Sequence, residues 1–242
     1  MSLLAVADEA GSTLLGESPI LEGMSAPEVN VWKSVTSQNP NHAVNYAQRW
    51  RNLEQAGHDV HGEARLIDAL VERGSRILDA GCGSGRLGGY LARRGHQVIG
   101  LDLDPYLISV AQEDHPTAQW VTGDLATFQL QTDAGLAQFD HIVSAGNVVT
   151  FLAGSERVPS LTRMREHLAP GGRMTIGFGA GRGYAFDDFE ADAQEAGLVI
   201  DARFGTWQLA PATDEFFVLF LSHAHRPLPS DSATFSITPP RS

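Results

Sequence analysis

Asp79, Gly81, Gly83 and Gly85 stand in the run Asp-Ala-Gly-Cys-Gly-Ser-Gly, directly after the apolar pair Ile77-Leu78, and a second apolar run ends at Asp102. Residues of these types in this order suit a nucleoside-containing ligand. Glycine lets the backbone turn tightly and approach a ligand with no β-carbon in the way. A helix opening straight after the loop presents unsatisfied N–H groups to that ligand. A carboxylate about 20 residues further on, at the tip of the next strand, can accept both hydroxyls of a ribose.

The spacing narrows the ligand. A dinucleotide loop, G-x-G-x-x-G, needs glycine where Arg86 stands, and the phosphate-cradling loop needs a lysine that does not follow here. The elements that must position the loop read as alternating strands and helices. Strands are expected at 76–80, 97–101, 119–122, 140–144, 173–178, 199–206 and 216–222. Helices are expected at 86–94, 105–113, 156–168 and 187–196, the third stopped by Pro170-Gly171-Gly172 and the last by Gly197. This alternation predicts an α/β fold with a doubly wound, mostly parallel sheet and helices on both faces. No helix-length segment joins the last two strands, so the last strand is expected to be antiparallel. Upstream, 41–56 reads as a polar helix carrying Tyr46 and Trp50 on one face, with Arg49 and Arg51 nearby. A further helix at 61–73 has Leu66, Ile67, Leu70 and Val71 as its apolar stripe. The expected organisation is a flexible segment 1–27, a helical lid and first helix 28–74, a core 75–226, and a disordered Pro/Ser-rich tail 227–242.

Ligands of such sheets bind at the carboxyl ends of the strands. Asp79, Asp102, Asp124 and Ser144 to Asn147 all fall on that one rim. Alternative roles remain: Asp79 could bond its own loop amides, Gly123-Asp124 is also a turn dipeptide, and Asn147 could be a strand-end turn residue. Acidic residues outnumber basic ones 29 to 17 for a net charge of −12, Lys33 is the sole lysine, and the arginines are scattered. A nucleic-acid partner is therefore not expected. The single cysteine, Cys82, excludes an internal disulfide and a cysteine-cluster zinc site, and no metal is expected. No apolar run is long enough to span a bilayer, and acidic Asp8 and Glu9 do not suit a signal peptide. The expectation is a cytoplasmic protein with no membrane partner. Nothing in the chain speaks to its oligomeric state.

Asp79-x-Gly81-x-Gly83-x-Gly85 after a strand, joined to Asp102, resembles the first motif of class I S-adenosylmethionine-dependent methyltransferases of the small-molecule type. The resemblance extends over residues 76–224. Gly123-Asp124-Leu125 is similar to the family's adenine-binding loop, Phe139-Asp140 to its fourth motif, and Leu168-Ala-Pro-Gly-Gly to its post-helix turn. It implies a Rossmann-like seven-stranded sheet under an N-terminal helical lid, with S-adenosyl-L-methionine as cofactor. The implied cofactor-binding set is Asp79, Gly81, Cys82, Gly83, Asp102, Leu103, Asp124, Leu125, Ser144 and Ala145. Gly81 and Gly83 would lie against methionine and ribose, and Asp102 would hold the ribose hydroxyls. Leu103 would pack on the adenine face, Asp124 would accept from the adenine amine, and Asp79 would orient the loop and favour the ammonium.

Residues 144–152 resemble the Gly-Asn stretch of glycine- and sarcosine-type N-methyltransferases and lack the [DN]-P-P-[FY] run of enzymes that methylate a flipped base. This points to a small-molecule substrate, with Asn147, Trp50 and Arg51 (or Arg49) as candidate contacts. If a general base is needed, His58, His61 and Tyr46 are the candidates. His141 lies too early in its strand, and His223 and His225 belong to the opposite rim of an antiparallel strand. Cys82 has no nucleophile motif around it. The expected activity is in-line transfer of a methyl group to N or O of a small molecule. The alternatives are a non-catalytic protein that binds S-adenosylmethionine or S-adenosylhomocysteine, and, against the glycine spacing, an NAD-dependent oxidoreductase.

Overall fold

The computed structural model describes residues 28–223. The segments expected to be a flexible start and a Pro/Ser-rich tail, together with His225, lie outside them. Three helices come first: α1 (Val31–Gln38), α2 (His42–Gln55) and α3 (Gly62–Leu70). Then follow β1 (Arg76–Ala80), α4 (Arg86–Arg93), β2 (Gln97–Asp102), α5 (Pro105–Asp114) and β3 (Gln119–Thr122). A small hairpin of β4 (Gln131–Thr132) and β5 (Gly135–Leu136) precedes β6 (Phe139–Ser144). The remainder is α6 (Arg157–Glu166), β7 (Leu168–Gly179), α7 (Phe186–Glu195), β8 (Leu198–Phe204) and β9 (Phe216–His223).

The seven-stranded sheet has the order β3-β2-β1-β6-β7-β9-β8. Its first five strands are parallel, and β9 runs antiparallel between β7 and β8. Alternate residues of each strand face opposite sides. Ile77, Val98, Val143 and Val218 pack against Ala64 and Ile67 of α3 and Leu87 and Leu91 of α4. Leu78, Leu101, Ile142 and Ile176 share the second core with Leu161 and Met164 of α6 and Phe189 of α7. Strand order reverses between β1 and β6, which is where an open α/β sheet leaves a crevice at its carboxyl edge.

Two local expectations need correction, and one helix is added. Helix α3 stops at Leu70, because Val71 is already extended, and Leu70 is 42% exposed rather than part of the buried stripe. Pro170-Gly171-Gly172 does not separate helix from strand. β7 begins at Leu168, pairs with Phe139, and takes in the three residues as a bulge with Gly171 at φ +78° before pairing resumes at Arg173. Helix α1 is distinct from α2 and puts Trp32 into a cluster with Ala43, Ala47, Leu107 and Val110, tying the N-terminal helices to α5.

Candidate active site

Strand β1 ends at Ala80, and the chain then turns through Gly81 and Gly83 at φ +81° and +54°. L residues with side chains rarely adopt this conformation. The turn is held to β2, since the Gly81 and Cys82 N–H groups both donate to the Leu101 carbonyl at 2.8 and 3.1 Å. A β-carbon at Gly81 would lie 2.2 Å from Val148 Cγ1, and one at Gly83 would lie 3.2 Å from the Tyr46 ring. Val148 and Tyr46 thus pack close over the turn, and both glycines line an open cleft of about 1490 Å³, mouth included.

Asp102 stands on this cleft at the end of β2. One carboxylate oxygen accepts from Gly83 N–H at 2.8 Å and the other from Asp104 N–H at 2.9 Å. A carboxylate has about four lone-pair sites, so acceptor capacity is left for a ligand hydroxyl. Burial pushes its pKa up to about 6, against the pull of those backbone N–H groups. Leu103, Asp124 and Leu125 continue the wall from the ends of β2 and β3. Asp124 accepts from Ala126 N–H and pairs with Lys33 of α1 at 2.5 Å. Its pKa is pushed up by burial and held below the usual range by Lys33 and Ala126.

Helices α1 and α2 supply the facing wall. Asn30 caps α1 and also bonds Glu156, while the Trp32 indole donates to Asp104 at 2.9 Å. Trp32, Tyr46 and Trp50 line the cleft, and Trp50 lies over the Arg86 guanidinium at 4.4 Å. Burial raises the Tyr46 pKa, so its phenol stays protonated at neutral pH. The third wall comes from the far side of the switch point: Gly146, Asn147, Val148 and Phe151 after β6, Arg182 after β7, Trp207 after β8, and Phe216 opening β9.

Gly81, Gly83, Asp102, Leu103, Asp124, Leu125, Asn147, Tyr46 and Trp50 thus meet on one cleft, and several other candidates do not. Asp79 sits behind the loop and accepts the Gly88 N–H of α4 at 2.8 Å; burial raises its pKa to about 7. The Cys82 thiol turns away into a cluster with Ile108, Ala111 and Trp120. Ser144 is buried in β6 and Ala145 packs on the α3–α4 core. Arg51 points to α5, where it pairs with Asp114 at 2.8 Å and Glu113 at 3.3 Å. His58 is exposed, and His61 faces Glu54 and the Tyr90 ring. Asn147 is on the cleft, but its side-chain oxygen already accepts Gly179 N–H at 2.8 Å. His141 is buried and bonds Thr175 at 3.0 Å, and His223 bonds the Leu168 carbonyl at the other edge.

The family profile for a methyltransferase domain matches residues 77–172. A crystal structure of a TehB-like S-adenosylmethionine-dependent methyltransferase from Corynebacterium glutamicum is 52% identical, with a TM-score of 0.73, over 76% of this chain and 100% of that one. The chain belongs to the class I S-adenosylmethionine-dependent methyltransferases. Magnesium-protoporphyrin O-methyltransferase of Rhodobacter capsulatus is 34% identical over 110 residues, 43% of each protein. The amino pentose methyltransferase CalS10 of Micromonospora echinaspora, solved with S-adenosylmethionine bound, shares the fold at 21% identity and a TM-score of 0.56, covering 72% of this chain and 95% of that one. The chain spans about half the length of the curated relatives it matches. S-adenosylmethionine is the cofactor of this methyltransferase family, and the site fits it. Gly81 and Gly83 line the cleft without side chains, and the Asp102 carboxylate stands on the same cleft, fixed by backbone N–H groups.

The sequence reading missed Trp32, His42, Glu63, Arg86, Arg182, Trp207 and Phe216 on the cleft. Only Arg86 had a signal, as a charged residue in place of the third glycine of a dinucleotide loop.

Proposed function

We propose that the protein transfers the methyl group of S-adenosylmethionine to a nitrogen or oxygen of a small-molecule acceptor held in the same cleft. One observation carries this reading: the cleft has a third wall, including Asn147, Arg182, Trp207 and Phe216, beyond the residues suited to the cofactor. Its aromatic faces and single arginine suit a compact organic molecule. The net charge of −12 argues against a polyanionic substrate. By their names, the relatives above act on a protoporphyrin and an amino pentose, which supports a small acceptor here.

The bound cofactor supplies an electrophilic methyl group on a sulfonium. The residues of this chain supply orientation, which can lower such a barrier by roughly 7–11 kcal/mol when reacting atoms are aligned. Asp102 and the glycine turn fix one reactant, and the Trp207–Phe216 wall fixes the other while Trp32, Tyr46 and Trp50 exclude water. With Tyr46 protonated and His58 and His61 off the cleft, His42 is the imidazole available to take a proton among the described residues. Burial lowers its pKa and keeps it neutral. The N-terminal helices, residues 28–74, act as a lid in this reading.

The test is release of S-adenosylhomocysteine from S-adenosylmethionine against a panel of amines, phenols, carboxylic acids and sugars. Turnover with one class supports the proposal. Tight binding of S-adenosylhomocysteine without turnover of any class favours a non-catalytic binding protein.

A further inference from the structure

Besides Asp102, two carboxylates stand near the glycine turn, and one of the two faces the cleft. Asp79 lies behind the loop with an oxygen on Gly88 N–H, and burial raises its pKa to about 7. Glu63, in the first turn of α3, lines the cleft together with Gly81, Gly83 and Arg86. Its two oxygens accept from the two Arg86 Nη groups, each at 3.0 Å, and Arg86 Nη1 also donates to the Val60 carbonyl. The Trp50 ring covers the guanidinium. Burial pushes the Glu63 pKa up, and the Arg86 charge more than offsets this, so Glu63 is ionised. Arg86 is thereby occupied on both edge and face, while the Glu63 carboxylate, with about four lone-pair sites, retains acceptor capacity. A largely buried carboxylate fixed in this way is a prepared acceptor for a cation.

We infer that Glu63, held in place by Arg86, receives the ammonium of the cofactor's amino-acid end. This assignment rests on the cofactor reading of the cleft. It replaces Asp79 in that role and leaves Asp79 the task of anchoring the start of α4. A charge-assisted bond from an ammonium to a carboxylate is stronger than a neutral one. Loss of the ammonium should therefore weaken binding about tenfold or more.

Calorimetry tests this without turnover. Wild type and Glu63→Gln are titrated with S-adenosylhomocysteine, with its desamino analogue, and with 5′-methylthioadenosine, which lacks the amino-acid end. Since Glu63→Gln leaves Arg86 unpaired, Glu63→Gln/Arg86→Met and the charge-conserving Glu63→Asp are measured alongside. The inference expects deamination to cost wild type about tenfold or more, and the two neutral variants less than about threefold. Glu63→Asp should keep part of the penalty, and 5′-methylthioadenosine should bind all four proteins alike. An equal deamination penalty in wild type and the neutral variants overturns the inference and leaves the cofactor reading standing, as does no penalty in wild type. Equal weakening of all three ligands by Glu63→Gln also overturns it, in favour of a structural role. Failure of wild type to bind both S-adenosylhomocysteine and 5′-methylthioadenosine overturns the cofactor reading itself.

Discussion

Asp102→Asn should separate binding from stability. The wild-type carboxyl has a pKa raised from 3.8 to about 6 because the folded protein buries it. Keeping it ionised at pH 8 costs the folded state roughly 3 kcal/mol, from 1.36 kcal/mol per unit over about two units. The unfolded chain ionises first as pH rises. The cost is therefore absent below about pH 3.8 and fully present above about pH 6. Asparagine removes the charge but has one acceptor oxygen for the two N–H groups of Gly83 and Asp104, which costs about 1–2 kcal/mol. At pH 8 the ligand-free variant should be about 1–2 kcal/mol more stable than wild type; at pH 4.5 it should be about 0–1 kcal/mol less stable. Binding moves the other way. Replacing a charged acceptor at the ribose position should weaken S-adenosylhomocysteine binding about 10- to 100-fold. Urea denaturation at the two pH values and calorimetry at pH 8 measure both effects. A variant at least about 2 kcal/mol less stable than wild type at pH 8, or one of unaltered affinity, refutes the reasoning.

Other outcomes follow from the same geometry. Gly81→Ala places a methyl group 2.2 Å from Val148 Cγ1 at a φ of +81°; it should destabilise by roughly 1–3 kcal/mol and abolish S-adenosylhomocysteine binding. Adding Val148→Ala should recover part of the stability in a denaturant titration, since the two Cγ clashes go while the 2.9 Å approach to the Val148 Cβ and the backbone strain stay. Arg51→Ala breaks a partly exposed ion pair with Asp114 and Glu113, so calorimetry should find unaltered affinity and denaturation a loss of about 0–1 kcal/mol. Burial lowers the His141 pKa to about 3, so its contribution is present above pH 6.5 and lost as pH falls toward 3. The stability gap between wild type and His141→Gln should therefore narrow by up to about 2 kcal/mol from pH 7.5 to 5. A constant gap across urea titrations at those two pH values would show that His141 protonates freely.

The sheet was legible because its signals are local. Apolar runs such as Ile77-Leu78 and Ile142-Val143 bury alternate residues on two faces, and Gly197 does stop α7 at φ +78°. That Asp102 and the glycines meet on one cleft was legible for the same reason, since they occupy adjacent strand tips. What failed was direction. Composition places Arg49, Trp50 and Arg51 on one helix, yet only the packing of α2 on α5 sends Arg51 to Asp114 and leaves Arg49 and Trp50 on the cleft. Likewise, Asp79 and Glu63 differ in whether the carboxylate lies behind or before the glycine turn. That depends on α3 docking on α4 through Ala64, Ile67 and Leu91, a long-range contact with no short-range signature. Trp207 and Phe216 reach the site only because β9 inserts between β7 and β8.

The central claim is that the cleft over Gly81 and Gly83 holds S-adenosylmethionine, with Asp102 on its ribose. A crystal structure of the protein grown with S-adenosylhomocysteine tests it most directly. Density with both ribose hydroxyls within hydrogen-bond distance of the Asp102 carboxylate, the adenine beside Leu103, and the amino-acid end over Gly81 is the predicted result. A fully occupied ligand elsewhere on the molecule, or an empty cleft at saturating ligand, would contradict it.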